Sequence, residues 1–373
     1  MSTYRPTWVE IDLGAIRQNV EVLINLVGPA AVMAIVKADA YGHGAVPVAS
    51  GALEAGASAL GVALVEEGVH LRDAGIDAPI LVLSEPSPDA AAEVVARGLT
   101  PVVYTEAGID ALAQAVTDAG QAPLGVHLKV DTGMHRVGAA AQDVATLARR
   151  VERHGELVLE GVCTHFAVAD EPDRGYTEQQ LERFAAARQS LADVGVNPVM
   201  VHAANSAAAI GFPASRFDMV RTGIAIYGVT PGPGIGTDLR LRPALALRSR
   251  VSHVKRLHRG DAVSYGLRYE LGRDATIATV PIGYADGVPR NLGGAGAEAL
   301  LHGRRFPIAG TVTMDQLLLD VGDEPVAVGD VVTFLGQDGS GSVTAEEWAE
   351  RLGTIGYEIV CGIGPRVPRR YLA

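Results

Sequence analysis

Eight short apolar runs, separated mostly by helix-like stretches, constrain the first two thirds of this chain more than any other feature. They are AVMAIV (31–36), GVAL (61–64), ILVL (80–83), PVVY (101–104), LGVHLKV (124–130), LVLEGVC (157–163), VMVH (199–202) and FDMVRTGIAI (217–226). The first shows no alternation of apolar and polar residues, as expected of a strand buried on both faces. The gaps hold stretches such as SPDAAAEVVARG and TEQQLERFAAARQSLADVG, which suit helices. Strands alternating with helices imply parallel pairing, and eight units close a (β/α)8 barrel. An open doubly wound sheet is the competing arrangement. Ahead of the first run, Asp12 can cap a helix over 12–28 whose stripe is Leu13, Ile16, Val20, Leu23 and Val27, with Gly28 as its end.

The stretch GVTPGPGIG (228–236) cannot sustain a regular element and marks a boundary. Residues 1–232 are expected to form the α/β barrel and 233–373 a mostly β C-terminal domain, with 1–11 a strand that can pack on the second domain. Beyond the boundary the texture is β-branched, as in TIATVPIGYADG and TVTMDQLLLD, and only 344–352 reads as helical.

The 373 residues carry a net charge of −12. That balance argues against nucleic acid and anionic membranes as partners. No apolar run reaches membrane-span length, and MSTYRPTWVEID has no signal-type segment. The two cysteines, Cys163 and Cys361, stand in no metal or redox spacing. A cytoplasmic protein is the expectation, and no metal site is anticipated.

Barrels place chemistry at the C-terminal ends of their strands. Those ends carry Lys37; Lys129 with Asp131 and Arg136; Thr164 and His165; His202, Asn205 and Ser206; and Arg221, Gly223 and Ile224. A lysine closing a buried strand loses solvation, which lowers its pKa and makes it a carbonyl nucleophile. The ordinary alternative is an amine that snorkels to solvent. Asn205 and Ser206 open a helix, and the turns after strands seven and eight are the usual anion site of this fold. Plain N-capping by Asn205 is the competing account.

VKADAYGHG (36–44), VDTGMHRVG (130–138), HAANSAA (202–208), VRTGIAIYG (220–228), SYG (264–266), GYADG (283–287) and MDQ (314–316) occur in order across nearly the whole chain. Together they resemble the alanine racemase family. The resemblance implies pyridoxal 5'-phosphate as cofactor, interconversion of L- and D-alanine, a role in D-alanine supply for peptidoglycan precursors, and a head-to-tail homodimer. It implies Lys37 as Schiff-base lysine and one acid/base group, with Tyr265 as the other, lent by the second subunit. Arg221 would face the pyridine nitrogen, supported by His165, and Arg136 the phenolic oxygen. Tyr41, Asn205, Ser206, Gly223, Ile224 and Tyr357 would hold the phosphate. Arg136, Met314 and Asp315 would meet the substrate, Met314 through its backbone and across the interface. Lys129 is similar to a lysine that relatives carry as a carbamate. The family more commonly has Arg and Cys where this chain has Thr311 and Thr313.

The chemistry suits these residue types. Racemisation removes a proton from one face of Cα and returns one to the other, so two bases are economical. An arginine at the ring nitrogen keeps its own proton and leaves a weaker electron sink, which speaks against a decarboxylase of the same barrel class. A serine or broad-specificity racemase and a non-catalytic cofactor carrier remain as competing functions. Several residues also have blander readings: His43 as a polar turn residue, Tyr357 as a ring on a strand edge, Asp315 as a turn-former, Tyr284 and Arg290 as loop residues, and Lys129 as an ion-pair partner of Asp131.

Overall fold

The computed structural model describes residues 4–171, 173 and 175–373. Eight parallel strands, β2 (Ala31–Ile35), β3 (Ala59–Val62), β4 (Ile80–Val82), β5 (Thr100–Val103), β6 (Leu124–Lys129), β7 (Leu157–Cys163), β8 (Met200–His202) and β9 (Met219–Thr222), follow β1 (Thr7–Asp12) and form a closed barrel. Closure comes from β9 pairing with β2, Met219 opposite Ala31. The helix between β1 and β2 runs Leu13–Val27, capped by Asp12 Oδ1, which accepts from Ala15 N at 2.8 Å, and ended at Gly28. Its buried face includes Ile16, Val20, Leu23 and Val27; each such side chain contributes roughly 1.5–3 kcal/mol on burial.

The C-terminal part is mostly β. The strands are β10 (Leu245–Arg250), β11 (His253–Leu257), β12 (Ala262–Val263), β13 (Tyr269–Glu270), β14 (Ala275–Val280), β15 (Glu298–Leu301), β16 (Arg304–Pro307), β17 (Leu317–Gly322), β18 (Val331–Asp338), β19 (Gly341–Val343) and β20 (Arg369–Leu372). One sheet runs β16-β15-β18-β10-β1-β20, with β19 on β18. The first strand of the chain thus lies between β10 and β20, antiparallel to one and parallel to the other. A second sheet is β11-β14-β17, and β12-β13 is a separate ribbon.

Three local expectations differ. The first barrel strand stops at Ile35, not Lys37, because the chain turns into the left-handed region at Ala38. Besides Ala345–Leu352 there is a second helix, Gly356–Cys361. Its β-branched Ile359 and Val360 read as strand, but both of those side chains are buried in the core, and tertiary packing overrides propensity. His43, between two glycines, is the turn residue expected, but it is fully buried. Among the described residues no helix is long and apolar enough to cross a membrane.

Candidate active site

A cavity of about 650 Å³ opens at the C-terminal mouth of the barrel. Its lining includes Lys37, Tyr41, Lys129, Arg136, His165, Asn205, Ser206, Arg221, Gly223, Ile224 and Tyr357. A smaller cavity of about 270 Å³, between barrel and β domain, includes Glu10, Asp12, Arg242 and Arg248. These charges pair among themselves, Asp12 with Arg242 and Glu10 with Arg248, so the cavity presents no free reactive group of that set.

The chain enters the mouth through an uncommon conformation. Ala38, Asp39, Ala40 and Tyr41 all have φ between 51° and 53°. Left-handed backbone costs L-residues roughly 1–2 kcal/mol each. Backbone hydrogen bonds still run through the turn: Ala40 N donates to Val36 O, Gly42 N to Ala38 O and Gly44 N to Asp39 O. Lys37 stands before this turn and Tyr41 ends it. Gly223 lets Tyr41 approach, since a Cβ there would lie 2.5 Å from Tyr41 Oη.

Arg221 is buried and, among the described residues, makes no ion pair with a carboxylate. Its Nη2 donates to Thr164 O at 2.7 Å, Ala203 O at 2.9 Å and His165 Nδ1 at 3.1 Å; its Nη1 donates to His202 Nδ1 at 2.9 Å. A guanidinium has donors only, so Nδ1 of both histidines must accept and the ring protons sit on Nε2. His202 Nε2 therefore donates to His127 Nδ1, at 2.7 Å. Burial and the Arg221 charge push His165 and His202 well below the usual imidazole range and His127 down to about 4. The chain His127–His202–Arg221 is a neutral scaffold that orients one fixed cation. Gly161 makes room for it: a Cβ there would stand 2.6 Å from His127 Nδ1.

Two amines share the cavity. Burial, and then Arg136, lower the Lys37 pKa, opposed by Glu67. Burial brings Lys129 down to about 8, with the Arg221, Arg136 and Lys37 charges adding to it against the opposing pull of Cys163. Lys129 Nζ donates to Leu83 O at 3.0 Å. Its ion pair with Asp131 is not formed; that carboxylate accepts instead from Gly133 N and His135 N and pairs with the His135 ring.

Ser206 Oγ accepts from Gly223 N at 2.9 Å, tying the two turns together. Asn205 caps the helix Ser206–Gly211 through Ala208 N at 3.0 Å and also lines the cavity, so both of its readings hold at once. Tyr357 lies on the second helix, not on a strand edge, with its ring centroid 6.0 Å from that of Tyr41.

Three predicted residues lie outside the cavity lining. Tyr265 is 71% exposed and Met314 52% exposed. Asp315 accepts from Arg366 Nη2 at 2.7 Å. Thr311 Oγ1 donates to Tyr265 O at 3.0 Å, and Thr313 Oγ1 donates to Gln316 O at 2.7 Å, closing the MDQ turn. Tyr284 and Arg290 are exposed.

Sequence reasoning passed over Glu67 and His127, and gave His202 no role. Glu67 Oε1 accepts from Ala38 N at 2.6 Å and Oε2 from Ala63 N at 2.8 Å and Leu64 N at 3.2 Å. It stands at the N3 position of its helix, but the N-cap is Leu64, whose side chain cannot accept a hydrogen bond, so the Ser/Thr-x-x-Glu signature that would have marked it is absent. His127 sat unmarked inside an apolar run; only the closed barrel brings it to His202.

A closed barrel with a desolvated lysine at its mouth, a buried arginine with no carboxylate partner among the described residues and an appended β domain defines a lysine-centred barrel enzyme. Comparison with known proteins narrows this. Residues 11–231 match the family model "Alanine racemase, N-terminal domain" and residues 244–371 "Alanine racemase, C-terminal domain". The alanine racemase of Symbiobacterium thermophilum is 50% identical over 372 residues, covering 98% of this chain and 97% of that one. The crystal structure of alanine racemase from a D-cycloserine-producing Streptomyces lavendulae superposes with a TM-score of 0.94 at 41% identity, over 100% of this chain and 98% of that one. A histidine racemase from Leuconostoc mesenteroides superposes at 0.92 and 33% identity, over 100% and 99%. The chain belongs to the alanine racemase family.

Proposed function

We propose that this enzyme interconverts L- and D-alanine with pyridoxal 5'-phosphate held on Lys37. The observation that carries the cofactor is the donor set of the cavity. Among the described residues it holds Lys37, Lys129, Arg136 and Arg221 against Glu358 as its one carboxylate, an excess of cations that suits a phosphorylated, anionic group. Tyr41, Asn205, Ser206, Gly223, Ile224 and Tyr357 would hold the phosphate, and the close approach of Tyr41 to Gly223 leaves no room for a side chain there. Arg221, held by four acceptors with no acid beside it, suits a ring nitrogen that stays unprotonated. When bound, the cofactor spreads the negative charge left on Cα after proton removal.

The residues then divide the work. Lys37, its pKa lowered by burial, takes or returns the proton on one face of Cα. Tyr265 serves the other face. In one chain its ring is exposed and outside the cavity, so it is read as supplied by the partner of a head-to-tail homodimer, with Met314 beside it. Arg136 orients the substrate carboxylate and the phenolic oxygen, with the Met314 backbone and the Asp315 turn across the interface. Lys129, at about 8, has neutral amine available at mildly alkaline pH to add carbon dioxide, releasing a proton and leaving a carbamate; the resulting anion would steady Arg136. Within residues 1–232 the barrel supplies most of the cofactor-binding groups, its leading strand packing on the second domain, and 233–373 carry Tyr265 and add Tyr357 to the cavity. D-Alanine supply for cell-wall precursors, in the cytoplasm, is the fitting setting.

A broader substrate range is the second reading. The histidine racemase on the same fold shows that its named substrate can carry a larger side chain, and Thr311 and Thr313 stand beside Tyr265 and Met314 here. Circular dichroism of L-alanine, L-serine and L-histidine incubations tests both. Decay of the L-alanine signal to zero, with borohydride fixing the cofactor on Lys37, is expected. Cofactor fixed on Lys37 with no decay would leave a carrier, and no cofactor on Lys37 would end the reading.

A further inference from the structure

Four consecutive non-glycine residues in the left-handed region relax to other conformations unless the surroundings hold them. Two side chains outside the lining of the cavity do so. His43 is fully buried behind the turn, with Nδ1 2.9 Å from Tyr41 O and 3.1 Å from Ala40 O. Two carbonyls at one nitrogen require the proton on Nδ1. Among the described residues Nε2 is buried with no partner, so the ring is held neutral and has no second anchor to serve; burial lowers its pKa to about 4. Its ring lies 4.5 Å from that of Tyr227, which fixes its plane. At the start of the turn Glu67 takes Ala38 N at 2.6 Å and joins it to Ala63 N and Leu64 N, at the end of the neighbouring strand β3.

We propose that His43 and Glu67 are positioning residues that clamp the left-handed turn at its two ends, and that this clamp sets where the Lys37 amine and the Tyr41 hydroxyl stand in the cavity. Lys37 precedes the first strained residue and Tyr41 is the last, so a change of hand at any residue between them rotates one group relative to the other. Neither clamp residue is needed to complete the barrel ladder, which ends at Ile35. The cofactor consequence rests on the proposed function; the clamp itself does not.

The test compares His43→Leu, His43→Asn and Glu67→Gln with the unmodified protein. Asparagine can offer an N–H near the place of Nδ1; leucine cannot. Glutamine keeps one acceptor but turns an N–H₂ toward backbone N–H groups. Amide hydrogen exchange of the apoprotein is read at residues 38–44, and pyridoxal phosphate affinity by absorbance titration. His43→Leu and Glu67→Gln are expected to speed exchange at 38–44 at least tenfold (about 1.4 kcal/mol), with the rest of the barrel unchanged, and to weaken cofactor affinity at least tenfold. His43→Asn is expected to recover most of both. Unchanged exchange, or acceleration spread evenly over the barrel, overturns the proposal, as does local acceleration with undiminished cofactor affinity. If the unmodified protein takes no cofactor while exchange still rises locally in the variants, the clamp stands and the proposed function fails.

Discussion

The barrel mouth and the face carrying Tyr265 and Met314 are built on opposite plans. At the mouth, strand ends bring cations and hydrogen-bonding groups from distant parts of the chain into one cavity, and most are fixed by several bonds: Arg221 has four acceptors, and Ser206 ties two turns. On the other face Tyr265 follows Ser264, itself at φ 63°, and its side chain projects into solvent. Only its backbone is braced, by Thr311. One chain thus assembles the groups proposed to hold a cofactor and leaves one proposed base outside. Rigid support lies where a group must be fixed within the chain, whereas exposure suits a residue that finishes someone else's site.

Breaking the mouth should have the largest effect. Lys37→Ala is expected to lose all cofactor fixed by borohydride and to lower racemisation by more than about 10³-fold, since nucleophile and base go together; mass spectrometry and a coupled D-alanine assay read both. Tyr265→Phe attacks the other region alone. Racemisation should fall by about 10²–10⁴-fold while borohydride still fixes the cofactor. A matching loss of both would mean the two regions are not separable in this way.

Mixing the two inactive variants sharpens the comparison further. If Tyr265 serves the partner's cavity, a mixed dimer has one intact site, and random re-pairing should return about a quarter of the original rate. No recovery on mixing, with exchange verified by native mass spectrometry, would place Tyr265 in its own chain's site. The smallest effect concerns Lys129. Its folded pKa, about 8, lies below its unfolded value, so between roughly pH 8 and 10 the unfolded chain binds more protons and apoprotein stability should rise with pH. The gain is at most about 1 kcal/mol per pH unit and should vanish in Lys129→Met; thermal melts at pH 8, 9 and 10 check it.

Much of the architecture was legible in the linear pattern because buried parallel strands and amphipathic helices each have a period. The helix Leu13–Val27, with Asp12 and Gly28 at its ends, and the eight strands follow from it. The cavity-lining residues at strand ends were legible for the same reason: a polar group closing an apolar run stands out. The helix Gly356–Cys361 and the burial of His43 were not, because both depend on what packs against them.

By itself the sequence determined the strand count, the family motifs and the residue types offered at the mouth. The tertiary structure alone decided that the strand stops short of Lys37, that four residues turn left-handed, that Glu67 reaches across to hold them, and that His127 and His202 become a neutral pair behind Arg221. Those outcomes depend on which donor meets which acceptor across tens of residues, and on how far burial strips water from each charge, and neither quantity exists until the barrel closes.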